Sequence, residues 1–360
     1  MRTLHLFNPS HDEALGADSP YYYPTTIARR LQAEWGALPA LWAEAGDWVW
    51  LPDEAEEPRH GAWCTGVEFV RKRQLARPSF WREVEQIAPW GWDAVVRQQL
   101  RRMGAPEALL PSDEALQRVR QLSSRLTTER LLPLLRQRLE AAGGTGLPLC
   151  GRSVVARSMA EVRHWAEVWQ GAMVKSLWSC SGRGVFRFSS EPTVNDVKRT
   201  ERLLAEQGGV EMEPVYVCAS DFALEFRSEP SGRVVCTGLS VFETNASGAY
   251  VGNVAASETE LARRLAGQGG PSGAGLEVLK EVCEGALAEH LGGGYVGPLG
   301  IDMMLVTPPD GADGGVLLHP CIEVNLRRTM GHVALEVAQR RLKPDDLPEF
   351  FEKICYFCPS

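Results

Sequence analysis

The residues best suited to chemistry lie in the run HPCIEVNLRRTMGH, at 319–332. Side chains alternate between the two faces of a β-strand. Glu323 and Asn325 therefore share one face, while the apolar residues between and after them share the other. In a second run, GIDMMLV at 300–306, the same alternation separates Asp302 from its apolar neighbours. If these two strands pair, Asp302, Glu323 and Asn325 converge.

Two carboxylates and an amide oxygen form a set of hard oxygen donors, which suits Mg²⁺. Carboxylates held close together repel one another unless a cation lies between them. Alternatively, these residues lie on the solvated face of a sheet, where Glu, Asp and Asn are common and need not bind a metal. This motif alone leaves both interpretations open.

A second candidate is the run AMVKSLWSCSGRGVFRF at 172–188. Lys175 stands in an apolar strand, and the small residues at 179–184 form a loop before the next strand. Such a loop presents backbone N–H groups and lets a phosphate approach closely. The run is neither a Walker motif nor a dinucleotide fingerprint. A plain hairpin loop fits it equally well.

Three further segments have polar residues in suggestive places. VEMEPVYV, at 210–217, is an apolar strand that carries Glu211 and Glu213, and a flat base can bind against a segment joining two domains. NPSHDEALG, at 8–16, follows the first strand, where open α/β sheets bind ligands. The 8–16 turn either faces a substrate amine or caps a helix. The loop at 244–253 either lines the site or is an ordinary connection.

Strand and helix patterns alternate along the first half of the chain, which predicts an α/β (α+β) fold. Residues 113–144 read as a helix in two pieces, interrupted near Thr127-Thr128 and Pro133. After Gly208-Gly209 the pattern becomes rich in strands. We expect three segments, with boundaries at 1–112, 113–209 and 210–360.

The composition limits the class of protein. The 360 residues carry a net charge of −8 and are 44% hydrophobic, which is typical of a globular chain and argues against a nucleic-acid surface. No run approaches the ~20 apolar residues of a membrane span, and the N-terminus lacks a signal-peptide core. We therefore expect a cytoplasmic protein. Its nine cysteines are expected to be thiols, and for the CxxC pair Cys355 and Cys358 a redox or zinc role stays open.

The order of these motifs resembles the ATP-grasp superfamily of carboxylate–amine ligases. A strand lysine is followed by a glycine loop, an acidic hinge strand, a strand aspartate and finally Glu-x-Asn. The resemblance covers about Ser123 to His332. It implies an N-terminal α/β domain followed by the two subdomains that clasp the nucleotide.

The resemblance also implies roles for single residues. The implied ATP contacts are Arg125, Lys175, Ser181, Gly182, Arg183, Gly184, Glu213 (or Glu211), Val215 and Asp221. Asp302, Glu323 and Asn325 would hold two Mg²⁺ ions. Arg327 would stabilise the transferring phosphate, so that Lys175 and Arg327 are the implied catalytic residues. The family more often has Lys where this chain has Arg125, and many relatives have Pro where it has Leu326.

The implied reaction is ATP- and Mg²⁺-dependent ligation. A small-molecule or peptide carboxylate becomes an acyl phosphate, which an amine or another nucleophile then attacks. Two alternatives keep the same fold: a small-molecule kinase, and a nucleotide-binding protein without catalysis. The sequence names neither the carboxylate nor the nucleophile, and it leaves the oligomeric state open.

Overall fold

The computed structural model describes residues 2–179, 184–245, 250–308 and 315–357. The chain forms two compact units. The first unit comprises Met1–Gln121, Gly252–Ser257 and Arg327–Ser360, and the second comprises Leu122–Val251 and Glu258–Leu326. The expected division at 112 and 209 into three segments stays a prediction.

Strands and helices follow one another through both units. The strands are β1 Arg2–Leu6, β2 Trp48–Trp50, β3 Glu68–Val70, β4 Val84–Pro89, β5 Val154–Ala156, β6 Ala172–Ser176, β7 Val185–Phe188, β8 Val210–Pro214, β9 Val217–Ser228, β10 Val234–Thr244, β11 Tyr250–Ala255, β12 Gly297–Thr307, β13 Leu317–Asn325 and β14 Cys355–Phe357. The helices are α1 His11–Ala17, α2 Thr26–Trp35, α3 Lys72–Leu75, α4 Ala94–Arg102, α5 Asp113–Leu122, α6 Leu126–Ala141, α7 Met159–Val168, α8 Val194–Gln207, α9 Glu258–Gly267, α10 Ala274–Leu291 and α11 Met330–Gln339. Short 3₁₀ turns lie between several of them.

The first unit is built on a parallel sheet with strand order β3-β2-β1-β4. Both faces of the sheet are covered, as parallel sheets require. Leu4 and Leu6 pack on one side, while Val49 and Leu51 pack on the other. The chain runs from β1 outward through β2 and β3, and then returns to place β4 on the opposite side of β1. The carboxyl ends of β1 and β4 are therefore the topological switch point of this sheet.

The second unit contains two antiparallel arrangements of strands. The smaller sheet has the order β5-β8-β6-β7, and its apolar face packs with α7 and α8. The larger arrangement within this unit has the order β13-β12-β9-β10. Helix α6 packs on β13, and α10 packs against α6 and β10. The candidate site residues on β6, β8, β12 and β13 all belong to this unit.

The helical pattern at 113–144 does fall into two pieces, but the interruption lies elsewhere. Helix α6 runs through Pro133, and the gap lies at 123–125. The predicted break at Pro133 was wrong because Leu132 and Leu135 on either side are fully buried, and their packing outweighs the lost hydrogen bond. The gap itself is held by the backbone N–H of Arg125, which donates to the carbonyl of Leu177 at 3.0 Å.

Within the described residues, no helix combines the length and the apolar character that a bilayer span demands.

Candidate active site

A buried group of charges lies on the small sheet of the second unit. The antiparallel register of β6 and β8 places Lys175 opposite Glu211, and Glu213 follows two residues later on the same face. The Nζ of Lys175 is 2.8 Å from Oε1 of Glu213 and 3.9 Å from Oε2 of Glu211. All three side chains are at least nine-tenths buried. The alternation that buries Val174 and Met212 in the core turns these charges to the opposite face.

Arg125 connects this group to the larger sheet. Its Nη2 donates to Oε2 of Glu323 on β13 at 2.8 Å, and its Nε is 3.3 Å from Oε2 of Glu211 on β8. Its Nη1 also donates to the carbonyl of Ser176 at 2.6 Å. Arg125 is only 5% exposed. A single guanidinium therefore joins both sheets of this unit.

The electrostatics of this group follow from burial and neighbouring charge. Burial lowers the pKa of Lys175, but the carboxylates of Glu213 and Glu211 outweigh that effect and raise it above its ordinary value. Burial raises the pKa of Glu211, against the attraction of Lys175 and with the help of Glu213. Lys175 thus stays protonated, while Glu211 resists losing its proton.

The predicted convergence at β12 and β13 is confirmed. The strands pair antiparallel, with Asp302 opposite Glu323 and Gly300 opposite Asn325. The amide Nδ2 of Asn325 donates to Oδ2 of Asp302 at 3.2 Å. The apolar residues of β12 that alternate with Asp302 are fully buried, as expected: Ile301, Met303 and Leu305. Two carboxylates directly opposite each other repel, so this pairing needs positive charge nearby.

The donor set at this end fits Mg²⁺ better than a transition metal. In the part of the chain that the structure describes, no three or more His, Cys, Asp or Glu side chains cluster as a complete metal site. Asp302, Glu323 and Asn325 offer two carboxylates and one amide instead. Mg²⁺ is usually held by one or two carboxylates, with substrate phosphates and water completing its shell. A closed zinc site needs nitrogen or sulfur ligands that this group lacks.

The sequence reasoning missed Glu225. This residue lies on β9 opposite Gly300, which in turn lies opposite Asn325 on β13. It is 1% exposed. Because Gly300 has no side chain, nothing on the middle strand separates the positions of Glu225 and Asn325. Alternation in the run SDFALEF, which places Asp221 and Glu225 on one face, is the signal that could have found it.

Of the residues predicted to hold the base and ribose, Glu213 lies on β8, Val215 lies between β8 and β9, and Asp221 lies on β9. The carboxylate of Glu213 is engaged by Lys175, so any contact it makes with a base would use its backbone. Pro214 has no N–H, and Val215, which is 39% exposed, is the next residue able to donate one. Asp221 accepts a hydrogen bond from Thr244 at 2.7 Å, and burial raises its pKa.

The predicted phosphate loop is only partly within the described residues. Ser181, Gly182 and Arg183 lie outside them, as do 246–249 of the second predicted loop and Cys358. Gly184 is described, and β6 and β7 on either side pair as a hairpin. Gly184 has φ +76°, and a Cβ there would lie 2.3 Å from Oγ of Ser176. Only glycine fits this position.

Arg327 belongs to the first unit, where it forms an ion pair that the sequence did not predict. Its Nη2 and Nε lie 2.8 Å and 2.9 Å from Oδ2 of Asp12. Asp12 comes from the polar turn at 8–16. This turn therefore does more than lead into α1, because it holds the arginine that follows the Glu-x-Asn motif.

The rest of the 8–16 turn is tied to the end of β4. Nδ2 of Asn8 donates to the carbonyl of Gly91 at 2.8 Å and to Oδ2 of Asp93 at 3.0 Å. Nδ1 of His11 lies 3.3 Å from the same Oδ2. Asn8, His11 and Asp93 are all buried at the switch point of the parallel sheet. His332, by contrast, is a helix-start residue as predicted, since it forms a capping box with Thr329.

His319 is a fully buried histidine on β13 of the second unit. Its ring makes an edge contact with Tyr216, at 5.3 Å between centroids. Burial, reinforced by the positive charges of Lys175 and Arg136, lowers its pKa to about 3. The imidazole is therefore neutral at physiological pH and acts as a packing residue.

Comparisons with known proteins support the fold. No protein-family model and no curated protein matches this sequence. Among solved structures, the chain is similar to the biotin carboxylase domain of 2-oxoglutarate carboxylase from Hydrogenobacter thermophilus, which was solved with MgADP, ADP and bicarbonate. The identity is 10%, the match covers 95% of this chain and 70% of that one, and the TM-score is 0.50.

Two weaker similarities were also found. Biotin carboxylase from Campylobacter jejuni is 13% identical over 100% of this chain and 72% of its own, with a TM-score of 0.48. D-cycloserine synthetase DcsG is 18% identical over 77% of this chain and 90% of its own, with a TM-score of 0.44. At such identities only the fold is shown. The predicted ATP-grasp architecture, with mixed α and β structure, is confirmed.

The ion pairs of Arg125 predict a specific loss of stability. Arg125→Met leaves the buried Glu211 and the partly buried Glu323 without their shared cation. Removing one partner of a buried pair costs about 3–5 kcal/mol, so the melting temperature should fall markedly. Adding Glu211→Gln to Arg125→Met should restore part of the loss. A melting temperature of Arg125→Met equal to that of the wild type would contradict the buried network.

The low pKa of His319 predicts a pH dependence of stability. Its folded pKa of about 3 lies below the ordinary value of 6.5, so the folded state binds the proton less tightly than the unfolded chain. The stability that neutral His319 contributes to the folded state is therefore fully present above pH 6.5 and is lost as the pH falls below that value. Between pH 7.5 and 5.0, the wild type should lose about 2 kcal/mol more free energy of unfolding than His319→Leu. Urea titrations at the two pH values measure this, and equal losses would contradict it.

Proposed function

We propose that this protein is an ATP- and Mg²⁺-dependent ligase, which activates a carboxylate as an acyl phosphate for attack by an amine or another nucleophile. One observation carries the proposal. The second unit brings the cations Lys175 and Arg125 together with the carboxylates of Asp302 and Glu323. The ATP-grasp fold supports this proposal. Lys175, Asp302 and Glu323 lie on strands β6, β12 and β13, in the order along the chain that the resemblance implies.

The charge balance of this group favours a divalent cation. Four carboxylates, those of Glu211, Glu213, Asp302 and Glu323, are set against the two cations Arg125 and Lys175. With all four carboxylates ionised the excess is two negative charges, and with Glu211 protonated, as its raised pKa favours, the excess is one; both states leave negative charge for a bound cation to balance. Asp302, Glu323 and Asn325 would hold the metal. We propose two Mg²⁺ ions, the number that the resemblance to the ATP-grasp superfamily implies. Bound Mg²⁺ would supply neutralisation of the phosphate oxygens.

The nucleotide would lie along the face that carries these charges. Lys175, fixed by Glu213 at 2.8 Å, would direct its remaining N–H donors to the phosphates. Arg125 and the loop that ends at Gly184 would contribute further donors. The segment from Glu213 to Val215 would face the base, and Asp221 the ribose. These assignments follow the order of the motifs along the chain.

The reaction follows from the chemistry of carboxylates. One carboxylate oxygen attacks the γ-phosphorus of ATP, which forms the acyl phosphate and releases ADP. The amine then attacks the carbonyl carbon and expels inorganic phosphate. Phosphoryl transfer depends on positioning and charge neutralisation more than on covalent catalysis. Lys175 would provide positive charge beside the phosphates. The role that the resemblance gives to Arg327 stays a prediction, and within the first unit Asp12 holds the guanidinium of Arg327.

Glu323→Gln is the sharpest test of the proposed activity. The substitution keeps the shape of the side chain but removes the charge that would face the metal. We expect MgATP-dependent ADP release to fall by at least about 100-fold. The assay uses a panel of amino acids and small acids, with mass analysis of the product. Glu281→Gln, an exposed substitution on α10, is the matched control and should retain full activity.

The products separate this function from its alternatives. A ligase releases inorganic phosphate and joins two substrates, whereas a kinase leaves the phosphate on one substrate. Nucleotide binding without turnover across the panel would favour a non-catalytic protein. Full ADP release by Glu323→Gln with any accepted pair of substrates would rule out the proposed role of this carboxylate.

A binding measurement tests the metal site without turnover. In the wild type, adding Mg²⁺ should strengthen ADP binding, as followed by isothermal titration calorimetry. In Asp302→Asn, the factor by which Mg²⁺ increases the affinity for ADP should be about 10- to 100-fold smaller than in the wild type. The affinity for ADP without metal should be at least as high as in the wild type. A variant with undiminished dependence on Mg²⁺ would place the metal elsewhere.

A further inference from the structure

A cavity in the first unit has not been assigned to any step so far. Its volume is about 270 Å³, and it lies among the loop at 20–24, helix α2 and helix α4. Its lining contains two arginines, Arg29 and Arg102, and no aspartate or glutamate. In a chain with net charge −8, a concave surface with only positive charges calls for a physical explanation.

Each arginine is held by a tyrosine of the loop. The guanidinium of Arg29 lies 4.8 Å from the ring centroid of Tyr23, and that of Arg102 lies 5.8 Å from the ring of Tyr21. Stacking fixes the plane of a guanidinium while leaving the N–H groups at its edge available. Such an edge matches the oxygens of a carboxylate or phosphate.

Neither arginine has an acidic partner among the residues that the structure describes, in contrast to a close neighbour. Arg101, one residue before Arg102, forms two hydrogen bonds with Glu107, at 2.6 Å and 2.8 Å. Arg29 donates only to the hydroxyl of Thr26, at 3.3 Å. Among the described residues, neither arginine of the cavity forms an ion pair, and the carboxylate of Glu13 is tied to the lining because it accepts a hydrogen bond from the hydroxyl of Tyr22 at 2.9 Å.

The two tyrosines add a surface for a flat group. Tyr21 is 73% exposed and Tyr23 is 71% exposed, although both line the cavity. Each ring lies against one of the arginines, and an exposed aromatic ring is suited to stacking on the ring of a ligand. Gln98 and Gln99 of α4 complete the lining with amide groups, which can donate to or accept from polar substituents.

The cavity adjoins the carboxyl end of the parallel sheet. Gln32, which lines it, donates to the carbonyl of Phe7 immediately after β1, at 3.0 Å. Val95, which also lines the cavity, lies in the first turn of α4, which follows β4. Open α/β sheets bind ligands at this switch point.

We propose that this cavity binds an anionic group, a carboxylate or phosphate, carried on a small planar ring. Arg29 and Arg102 bind the anion, while Tyr21 and Tyr23 stack on the ring. The cavity, at about 270 Å³, lies just below the range of about 300–1,000 Å³ that is usual for small-molecule pockets. It therefore suits a ligand no larger than one ring with one anionic group. That the bound molecule is one of the ligase's two substrates rests on the proposed function; the binding itself does not.

Calorimetric titration of the full chain, without nucleotide, tests the proposal with three probes: phenyl phosphate, benzoate and inorganic phosphate. We expect saturable binding of at least one ring-bearing probe, at least about 10-fold tighter than inorganic phosphate. Arg29→Gln and Arg102→Gln should each weaken it by at least about 10-fold, because a charged hydrogen bond is lost. Phenyl phosphate and benzoate distinguish the two kinds of anion.

The chain supplies a matched control for each arginine. Arg30→Gln removes a positive charge next to the cavity but outside its lining. Arg101→Gln removes an arginine of α4 whose charge Glu107 already balances, and so controls for disturbance of the helix. Both should leave probe binding within about twofold. Three results would overturn the proposal: no saturable binding of a ring-bearing probe, equal losses in controls and cavity variants, or inorganic phosphate binding as tightly as the ring-bearing probes.

A parallel titration of the wild type with MgADP separates this inference from the proposed function. Failure of all three probes together with intact MgADP binding would contradict the cavity assignment alone. Probe binding without MgADP binding would contradict the proposed ligase and leave the cavity assignment standing.

Discussion

The structure of the second unit depends on the need to balance buried charge around Arg125. This side chain is 5% exposed and reaches Glu211 on the small sheet and Glu323 on the large one. A buried charge is tolerated only when partners and hydrogen bonds compensate it. The ion pairs of Arg125 therefore hold the small sheet, which carries Lys175, next to the large sheet, which carries Asp302. The scaffold and the candidate chemistry share one ion-pair network, so a change in either affects the other.

Much of this arrangement could be predicted from local pattern. Alternation along β12 and β13 was enough to place Asp302, Glu323 and Asn325 on one face, because one apolar face must be buried. The order of motifs indicated the ATP-grasp fold. Helix α6 shows the limit of local reasoning, since Pro133 lies inside it, held by the packing of leucines that only the folded chain brings together.

Contacts between distant parts of the chain could not be predicted. Arg125 and Glu323 are 198 residues apart, and Arg327 and Asp12 are 315 apart, so no spacing rule links them. Alternation along β9 places Glu225 on the same face as Asp221, but only the pairing of β9 with β12 shows that Glu225 lies opposite Gly300, on the side of Asn325. The polar turn at 8–16 had two open interpretations, and its ion pair with Arg327 is evident only from the tertiary structure.

We propose that Asp302, Glu323 and Asn325 bind the metal that accompanies ATP. The most direct measurement is a crystal structure with ADP and Mn²⁺ in place of Mg²⁺, with the ion located by its anomalous scattering. We expect an anomalous peak within coordinating distance, about 2.0–2.3 Å, of oxygens of Asp302 and Glu323 and of the nucleotide phosphates beside Lys175. A peak that touches neither carboxylate would contradict it.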